Sequence, residues 1–189
     1  MRPLARRLRQ AGFEPVLFGY PSRTSPARIA ERFGQWLNEH DPPPDHFVAH
    51  SLGGIVLAHL FVRHPELGPT RGRIVLLGSP LAGSAIARRL AEWRVGRWLL
   101  GGSLHSGLAD GGPAWTTTDT LMLAGTRPIG PGRLVPQSLT GPNDGTVSVA
   151  ETLDAGLAAH RCLPVNHFAL LWSGQVAAAV IDYLSSSND

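Results

Sequence analysis

The 189-residue chain lacks the residues that several classes of protein require. Its single cysteine, Cys162, excludes a disulfide framework and any zinc site built from several cysteines. No apolar run comes near the roughly 18 residues that a membrane-spanning helix needs. The 22 glycines and 16 prolines follow no repeat, which argues against collagen-like, solenoid and disordered chains. With 43% hydrophobic residues, this length predicts one globular domain, 1–189, with a core of its own.

Lysine is also absent, so all 17 basic residues are arginines and the net charge is only +3. The one tight basic cluster consists of Arg2, Arg6, Arg7 and Arg9. On a helix these arginines lie mostly opposite the small and apolar residues between them, which favours a solvated face over a phosphate-binding patch. We therefore expect no nucleic-acid partner. The same arginines interrupt any apolar stretch, so we expect no signal peptide, and a cytoplasmic location for the chain as given.

Apolar segments of strand length alternate with helical patterns along the whole chain. The predicted strands are 15–20, 46–50, 74–78, 121–125 and 161–165. The predicted helices are the Arg-rich segment before Gly12, the segment from Ser25 to the breaker at 41–44, then 52–63, 84–100 and 173–184. This alternation predicts an α/β fold with a doubly wound, mostly parallel sheet. The ligand site of such a sheet lies beyond the carboxyl ends of the strands.

A serine stands at the first of these strand ends. Ser51 lies in the run Ala49-His50-Ser51-Leu52-Gly53-Gly54, directly between a predicted strand and a predicted helix. This arrangement is typical of a nucleophile elbow, whose tight turn needs small residues two before and two after the serine. The Leu52 N–H, at the start of the helix, would stabilise an oxyanion. The alternative is that Ser51 only caps the helix.

Two later strand ends supply an acid and a base for this serine. Asp144 lies in the loop after the fourth predicted strand, and His167 follows the fifth. The order Ser51, Asp144, His167 is that of the α/β-hydrolase triad. Asn-Asp-Gly is also good turn chemistry, and Asp144 can serve as both turn residue and acid.

The other histidines are weaker candidates for a site. His50 neighbours Ser51, but strand alternation should turn its side chain away from the serine. His40 and His46 lie beside a run of three prolines without ligand spacing, so we expect no metal site and no cofactor.

These segments resemble the small bacterial serine lipases and esterases of the α/β-hydrolase superfamily. The resemblance is carried by AHSLGG at 49–54, VLLGSPLAGSAIARRLA at 75–91, PNDGTV at 142–147 and PVNHFALL at 164–171. It implies Ser51 as nucleophile, Asp144 as acid, His167 as base and the Leu52 amide as one oxyanion donor. Ala49 replaces the first glycine of the family's elbow.

The resemblance fails at the amino terminus. Family members begin with one or more strands, one of which ends in a His-Gly loop that supplies a second oxyanion donor, whereas this chain starts inside the helix that follows. We expect that Met1 is not the true start of an active enzyme, or that this copy has degenerated and lost activity. The absent strand should leave a gap between the predicted strands 15–20 and 46–50, unless these two pair directly or something else fills the slot.

The segment 81–115 occupies the place where hydrolases often carry a cap or lid. Leu81, Trp98, Leu99 and Leu100 are candidates for an acyl pocket or a lid, whereas Ile86, Leu90 and Trp93 fit the core better.

These features predict a serine hydrolase that cleaves carboxylic esters, of a small molecule or a lipid, through an acyl-enzyme on Ser51. Transient contact with a lipid surface fits this substrate class. One alternative is an acyltransferase with the same triad, since the acyl-enzyme is common to both. The other is a catalytically silent, truncated copy that serves as a binding module.

Overall fold

The computed structural model describes residues 1–69, 72–117, 119–135 and 139–186. Its strands are β1 (Phe47–His50), β2 (Ile74–Leu77), β3 (Thr120–Gly125) and β4 (Ala159–Leu163). Its α-helices are α1 (Arg2–Gln10), α2 (Pro26–Asn38), α3 (Leu52–Arg63), α4 (Ala85–Ala91), α5 (Arg94–Leu100) and α6 (Gly174–Ser185). Within this part of the chain no helix is both long enough and apolar enough to cross a membrane.

The four strands form one parallel sheet in the order β1-β2-β3-β4. Every residue of the two central strands, β2 and β3, is buried. Their nearly continuous apolar sequences, IVLL and TLMLAG, are typical of parallel strands that are covered on both faces. The predicted α/β class with a parallel sheet is confirmed.

Helices cover both faces of the sheet. Alternate strand residues point to opposite faces, so Leu76 and Met122 pack with α2 and α3, whereas Leu77 and Leu123 pack with α1 and α6. On α1, Leu4, Ala5 and Leu8 are buried, and the arginines are exposed. The predicted solvated face of this helix is therefore confirmed.

The predicted strand at 15–20 is wrong, because this segment is irregular. A strand needs a hydrogen-bonded neighbour, and in the described part of the chain β1 pairs only with β2. Aromatic contacts hold the segment instead: the ring centroid of Phe18 lies 4.6 Å from that of Phe33 on α2. The segment and β1 do not pair directly, and a cavity lies between them.

The predicted helix 84–100 is also corrected, because it consists of two short helices, α4 and α5. The chain leaves helical geometry at Trp93, which has φ −104° and ψ 141° and is exposed rather than part of the core. A side chain at Gly96 would collide with the Leu90 carbonyl, so the break lets α5 fold tightly against the end of α4. The predicted strand at 161–165 begins two residues earlier, as β4.

We predict that Gly54→Ala lowers the free energy of unfolding by about 1–3 kcal/mol. A Cβ at position 54 would lie 2.4 Å from Ser79 Oγ, and Ser79 is fully buried, so neither group can move away freely. The matched control is Gly19→Ala, where a Cβ meets nothing within 4 Å and the expected change is within about 0.5 kcal/mol. Urea unfolding of the two variants measures both values, and equal stabilities would contradict the close packing of α3 on the end of β2.

Candidate active site

The carboxyl end of β1 leads into a strained turn at Ser51. Ser51 has φ 53° and ψ −121°, and among the described residues it is the only non-glycine residue with positive φ. Such a conformation costs of order 1–3 kcal/mol and persists only where its surroundings enforce it. Here the Ser51 N–H donates to the Leu77 carbonyl at 2.9 Å, which extends the pairing of β1 with β2 past the strand end.

Small residues allow α3 to start immediately after this turn. A Cβ at Gly53 would lie 3.4 Å from the Ala49 Cβ and 3.3 Å from the Tyr20 hydroxyl, closer than most side-chain contacts. Ala49 and Gly53 are thus the small residues that the turn needs on either side of the serine. The Leu52 N–H belongs to the first turn of α3, where backbone donors have no partner inside the helix.

Ser51 occupies the N-cap position of α3, but its hydroxyl makes no capping hydrogen bond. Nor does the hydroxyl have another hydrogen-bond partner within the described part of the chain. The alternative that Ser51 only caps the helix therefore does not account for its hydroxyl, which makes no capping hydrogen bond.

The Asp144 carboxylate lies in the loop between β3 and β4 and is 1% exposed. Its Oδ1 accepts hydrogen bonds from the Thr146 N–H at 2.9 Å and from the Val147 N–H at 2.7 Å, which makes the residue part of a turn. Its Oδ2 accepts from His167 Nδ1 at 2.6 Å. Asp144 thus combines the turn role and the contact to the histidine.

His167 follows β4 and is 4% exposed. Its backbone N–H donates to the Asp144 carbonyl at 3.0 Å, so main chain and side chain both join the two loops. Gly78, at the end of β2, lies directly beneath the pair with φ +55°. A Cβ there would lie 3.1 Å from Asp144 Oδ2 and 3.2 Å from His167 Nδ1, so glycine gives the pair its space.

His50 connects this pair to the serine turn. Its ring centroid lies 4.6 Å from that of His167, and its Nε2 donates to the His167 carbonyl at 3.0 Å. Strand alternation does turn His50 away from Ser51, but the loop that carries His167 crosses the same side. The sequence therefore failed to identify His50 as a neighbour of the site, although its position next to Ser51 was the available signal.

The geometry gathers Ser51, Asp144 and His167 at one edge of the sheet. Asp144 and His167 are hydrogen-bonded directly, whereas Ser51 is connected to them through its neighbour His50, whose ring packs against His167. No hydrogen bond joins the Ser51 hydroxyl to the His167 ring, and such bonds commonly tighten only when substrate is bound.

The cap candidates fall into two groups. Leu81 is buried in the core beside α2 and α3, and Leu100 packs against a small cluster that includes Leu104. Trp98 and Leu99 are 65% and 53% exposed. The Arg23 guanidinium lies 4.6 Å from the Trp98 ring centroid and donates to the Trp98 carbonyl at 2.7 Å. Only Trp98 and Leu99 thus have the exposure expected of a lid.

The two histidines near the proline run have structural partners. His40 Nδ1 donates to the Trp36 carbonyl at 2.7 Å, and His46 Nδ1 accepts from the Arg73 N–H at 2.9 Å.

Solved structures of three hydrolytic enzymes share this fold. The mature lipase BlEst2 of Bacillus licheniformis is 16% identical, with a TM-score of 0.74 over 97% of this chain and 84% of the lipase. Phospholipase PlaB of Legionella pneumophila is 16% identical, with a TM-score of 0.71 over 97% of this chain and 56% of that protein. The metagenomic carboxyl esterase MGS0156 is 16% identical, with a TM-score of 0.62 over 95% of this chain and 68% of the esterase.

The sequence matches no protein-family model and no curated protein. Together, the parallel sheet, its helical layers and the solved neighbours show that the chain has the α/β-hydrolase fold, as its sequence motifs predicted. At these identities the likeness concerns the fold.

We predict that replacing His50 weakens the pH dependence of stability in acid. Burial, reinforced by nearby His167, lowers the pKa of His50 from 6.5 to about 4. The unfolded chain therefore binds a proton at His50 at higher pH than the folded chain does. The free energy of unfolding should fall as the pH drops from about 6.5 to 4, by up to roughly 3 kcal/mol from this group.

Urea unfolding at several pH values between 7 and 4 tests this in the wild type and in His50→Gln, which keeps a donor for the His167 carbonyl but does not titrate. Parallel stability curves for the two proteins would contradict the prediction.

Proposed function

We propose that the chain is a serine hydrolase that cleaves carboxylic esters through an acyl-enzyme on Ser51, with His167 as base and Asp144 as acid. The observation that carries this proposal is the buried Asp144–His167 hydrogen bond, held next to the strained turn that exposes the Ser51 hydroxyl. The lipase, esterase and phospholipase names of the structural neighbours support ester substrates.

The residues suit the two chemical steps. Ser51 Oγ attacks the ester carbonyl carbon while His167 Nε2 takes the hydroxyl proton, and Asp144 holds Nδ1–H so that the ring keeps the required tautomer. The tetrahedral intermediate collapses, the bond to the alcohol oxygen breaks, and His167 returns the proton to that oxygen. Water then attacks the acyl-enzyme in the same manner, releasing the acid and restoring Ser51.

The oxyanion accepts a hydrogen bond from the Leu52 N–H, and the positive end of the α3 dipole stabilises its charge. One such backbone donor typically contributes about 100- to 1000-fold in rate. A reactive Ser51 would separate the proposal from a silent binding module, for which this serine would not react at all.

Trp98 and Leu99 extend the proposal to apolar acyl substrates. Their exposed side chains on α5, with the neighbouring arginines Arg94 and Arg97, form an apolar and basic surface suited to transient contact with a lipid surface. In this proposal the segment 81–115 acts as the cap.

A fluorophosphonate probe tests the nucleophile directly. We predict that the wild-type protein is labelled, that Ser51→Ala abolishes labelling and that Ser186→Ala, which changes an exposed serine at the end of α6, leaves it unchanged. Mass spectrometry of the labelled peptides identifies the modified residue. Labelling that persists in Ser51→Ala, or a wild type that is never labelled, would refute the proposal.

A carboxylate-to-amide change tests the acid. In Asp144→Asn the amide oxygen still accepts from Thr146 and Val147, but the amide NH₂ faces His167 Nδ1 and forces the wrong tautomer. We predict that kcat for p-nitrophenyl butyrate falls by roughly 10³- to 10⁴-fold with little change in KM. The matched control is Asp154→Asn, because Asp154 also accepts backbone N–H groups in a loop, those of Gly156 and Trp115. Equal losses of kcat in the two variants would indicate a merely structural role for Asp144.

A further inference from the structure

Glu151 is a buried carboxylate that no step of the proposed reaction uses. It lies in the connection between β3 and β4, the same connection that carries Asp144, and it is 7% exposed. A carboxylate buried to this extent is costly unless hydrogen bonds satisfy its oxygens. Each oxygen of Glu151 accepts a backbone N–H, and the two donors belong to different segments of the chain.

The first of these hydrogen bonds is local. Glu151 Oε2 accepts from the Ser148 N–H at 2.7 Å, and the Glu151 N–H donates to Ser148 Oγ at 3.4 Å. This reciprocal pattern is a capping box, in which Ser-x-x-Glu starts a helical turn, here the short 3₁₀ turn Ala150–Thr152. A capping box needs only one carboxylate oxygen, so it does not account for the second bond.

The second hydrogen bond joins two separate loops. Glu151 Oε1 accepts from the Ala85 N–H at the start of α4, and the Glu151 carbonyl accepts from the Ala82 N–H at 3.0 Å. Both donors follow Gly78, the glycine beneath the Asp144–His167 pair. The side chain and the main chain of Glu151 therefore both attach the loop after β3 to the connection between β2 and α4.

The local bond reaches the Asp144 carboxylate through one short turn. Ser148 pairs with Asn143 in an antiparallel bridge that closes this turn, and inside it the Asp144 N–H donates to the Val147 carbonyl at 3.0 Å. The N–H groups of Thr146 and Val147 hold Asp144 Oδ1, which leaves Oδ2 for the histidine. A shift of the Ser148 end of the turn would therefore change the direction of the Asp144 carboxylate.

We infer that Glu151 is a positioning residue for the acid. Its carboxylate holds the turn of Asp144 against the start of α4, so that Asp144 Oδ2 stays directed at His167 Nδ1. The catalytic part of this inference rests on the proposed hydrolase. A displacement of about 1 Å caused far from the reacting atoms can lower a rate by roughly 100-fold. Glu151 would thus affect turnover without touching substrate.

The variant Glu151→Gln tests this role, because it keeps the size of the side chain but replaces one acceptor oxygen by an NH₂ group. Whichever way the amide turns, one of the two backbone bonds is lost and the side-chain link between the loops is broken, while the main-chain bond from Ala82 remains. We expect kcat for p-nitrophenyl butyrate to fall by about 10- to 100-fold with little change in KM. Glu151→Asp, which keeps the charge but is one CH₂ shorter and cannot reach both donors, should change kcat in the same direction.

The matched control is Asp154→Asn. Asp154 also accepts one N–H in its own loop, that of Gly156, and one from a distant segment, that of Trp115. It lies in the same connection as Glu151 but has no bond to the turn of Asp144. We expect kcat of this variant to stay close to that of the wild type.

Amide hydrogen exchange followed by NMR separates positioning from local capping. In Glu151→Gln, exchange should become faster at Thr146 and Val147, whose N–H groups bind the Asp144 carboxylate, as well as at Ser148. Loss of the capping box alone would affect only Ser148 and position 151. Slow exchange of the amides in β2, measured in the same spectra, shows that the variant is folded.

The proton on His167 Nδ1 gives a second readout that needs no substrate. Its short hydrogen bond to the Asp144 carboxylate should place this proton at low field in the ¹H NMR spectrum of the wild type. We expect the signal to shift or to be lost by exchange in Glu151→Gln and to persist in Asp154→Asn.

Any of four results would overturn the inference. They are an unchanged kcat in Glu151→Gln, an unchanged low-field signal in that variant, an equal loss of kcat in Asp154→Asn, and faster exchange confined to Ser148 and position 151. Each would leave the proposed hydrolase intact if the wild type is active. A wild type that the fluorophosphonate probe never labels would instead refute the hydrolase, while the two NMR readouts would still decide whether Glu151 positions Asp144.

Discussion

The hydrogen bond between Asp144 Oδ2 and His167 Nδ1 is the contact on which the rest of the site depends. Both side chains are almost fully buried, so each would be costly without the other. Two backbone N–H groups satisfy the remaining carboxylate oxygen, and a main-chain bond between the same two residues makes the arrangement rigid. The parallel sheet makes the contact possible, because the loops that follow β3 and β4 leave the sheet at the same edge as the turn after β1.

Strand β1 borders two parts of the structure because of its place in the sheet. Its carboxyl end leads into the turn at Ser51, which is strained because pairing with β2 continues to the Ser51 N–H. Its free edge borders the cavity through the backbone groups of Val48 and His50. His50 belongs to both regions, since its backbone faces the cavity and its ring contacts His167.

The sequence predicted the parts of the fold that local patterns determine. Helix α3 and the two central strands carry continuous apolar runs with clear ends, and they lie where the pattern placed them. The segment 15–20 has the same apolar composition but no strand, because strand formation depends on a neighbour that composition cannot reveal. The prediction that Trp93 belongs to the core was wrong for a related reason. Its exposure follows from the close packing of Gly96 against Leu90, which is a contact between two helices. Motif spacing predicted Ser51, Asp144 and His167 as a candidate triad, and the structure brings Asp144 and His167 into contact. His50 was missed because a loop distant in sequence crosses its face.

A crystal structure of the protein after reaction with a phosphonate ester tests the account most directly. The account predicts a covalent bond from phosphorus to Ser51 Oγ, a phosphoryl oxygen within hydrogen-bond distance of the Leu52 N–H, and His167 Nε2 directed at the leaving-group position with its bond to Asp144 intact. An adduct on another residue, or a Ser51 adduct with the His167 ring turned away and out of reach, would contradict it.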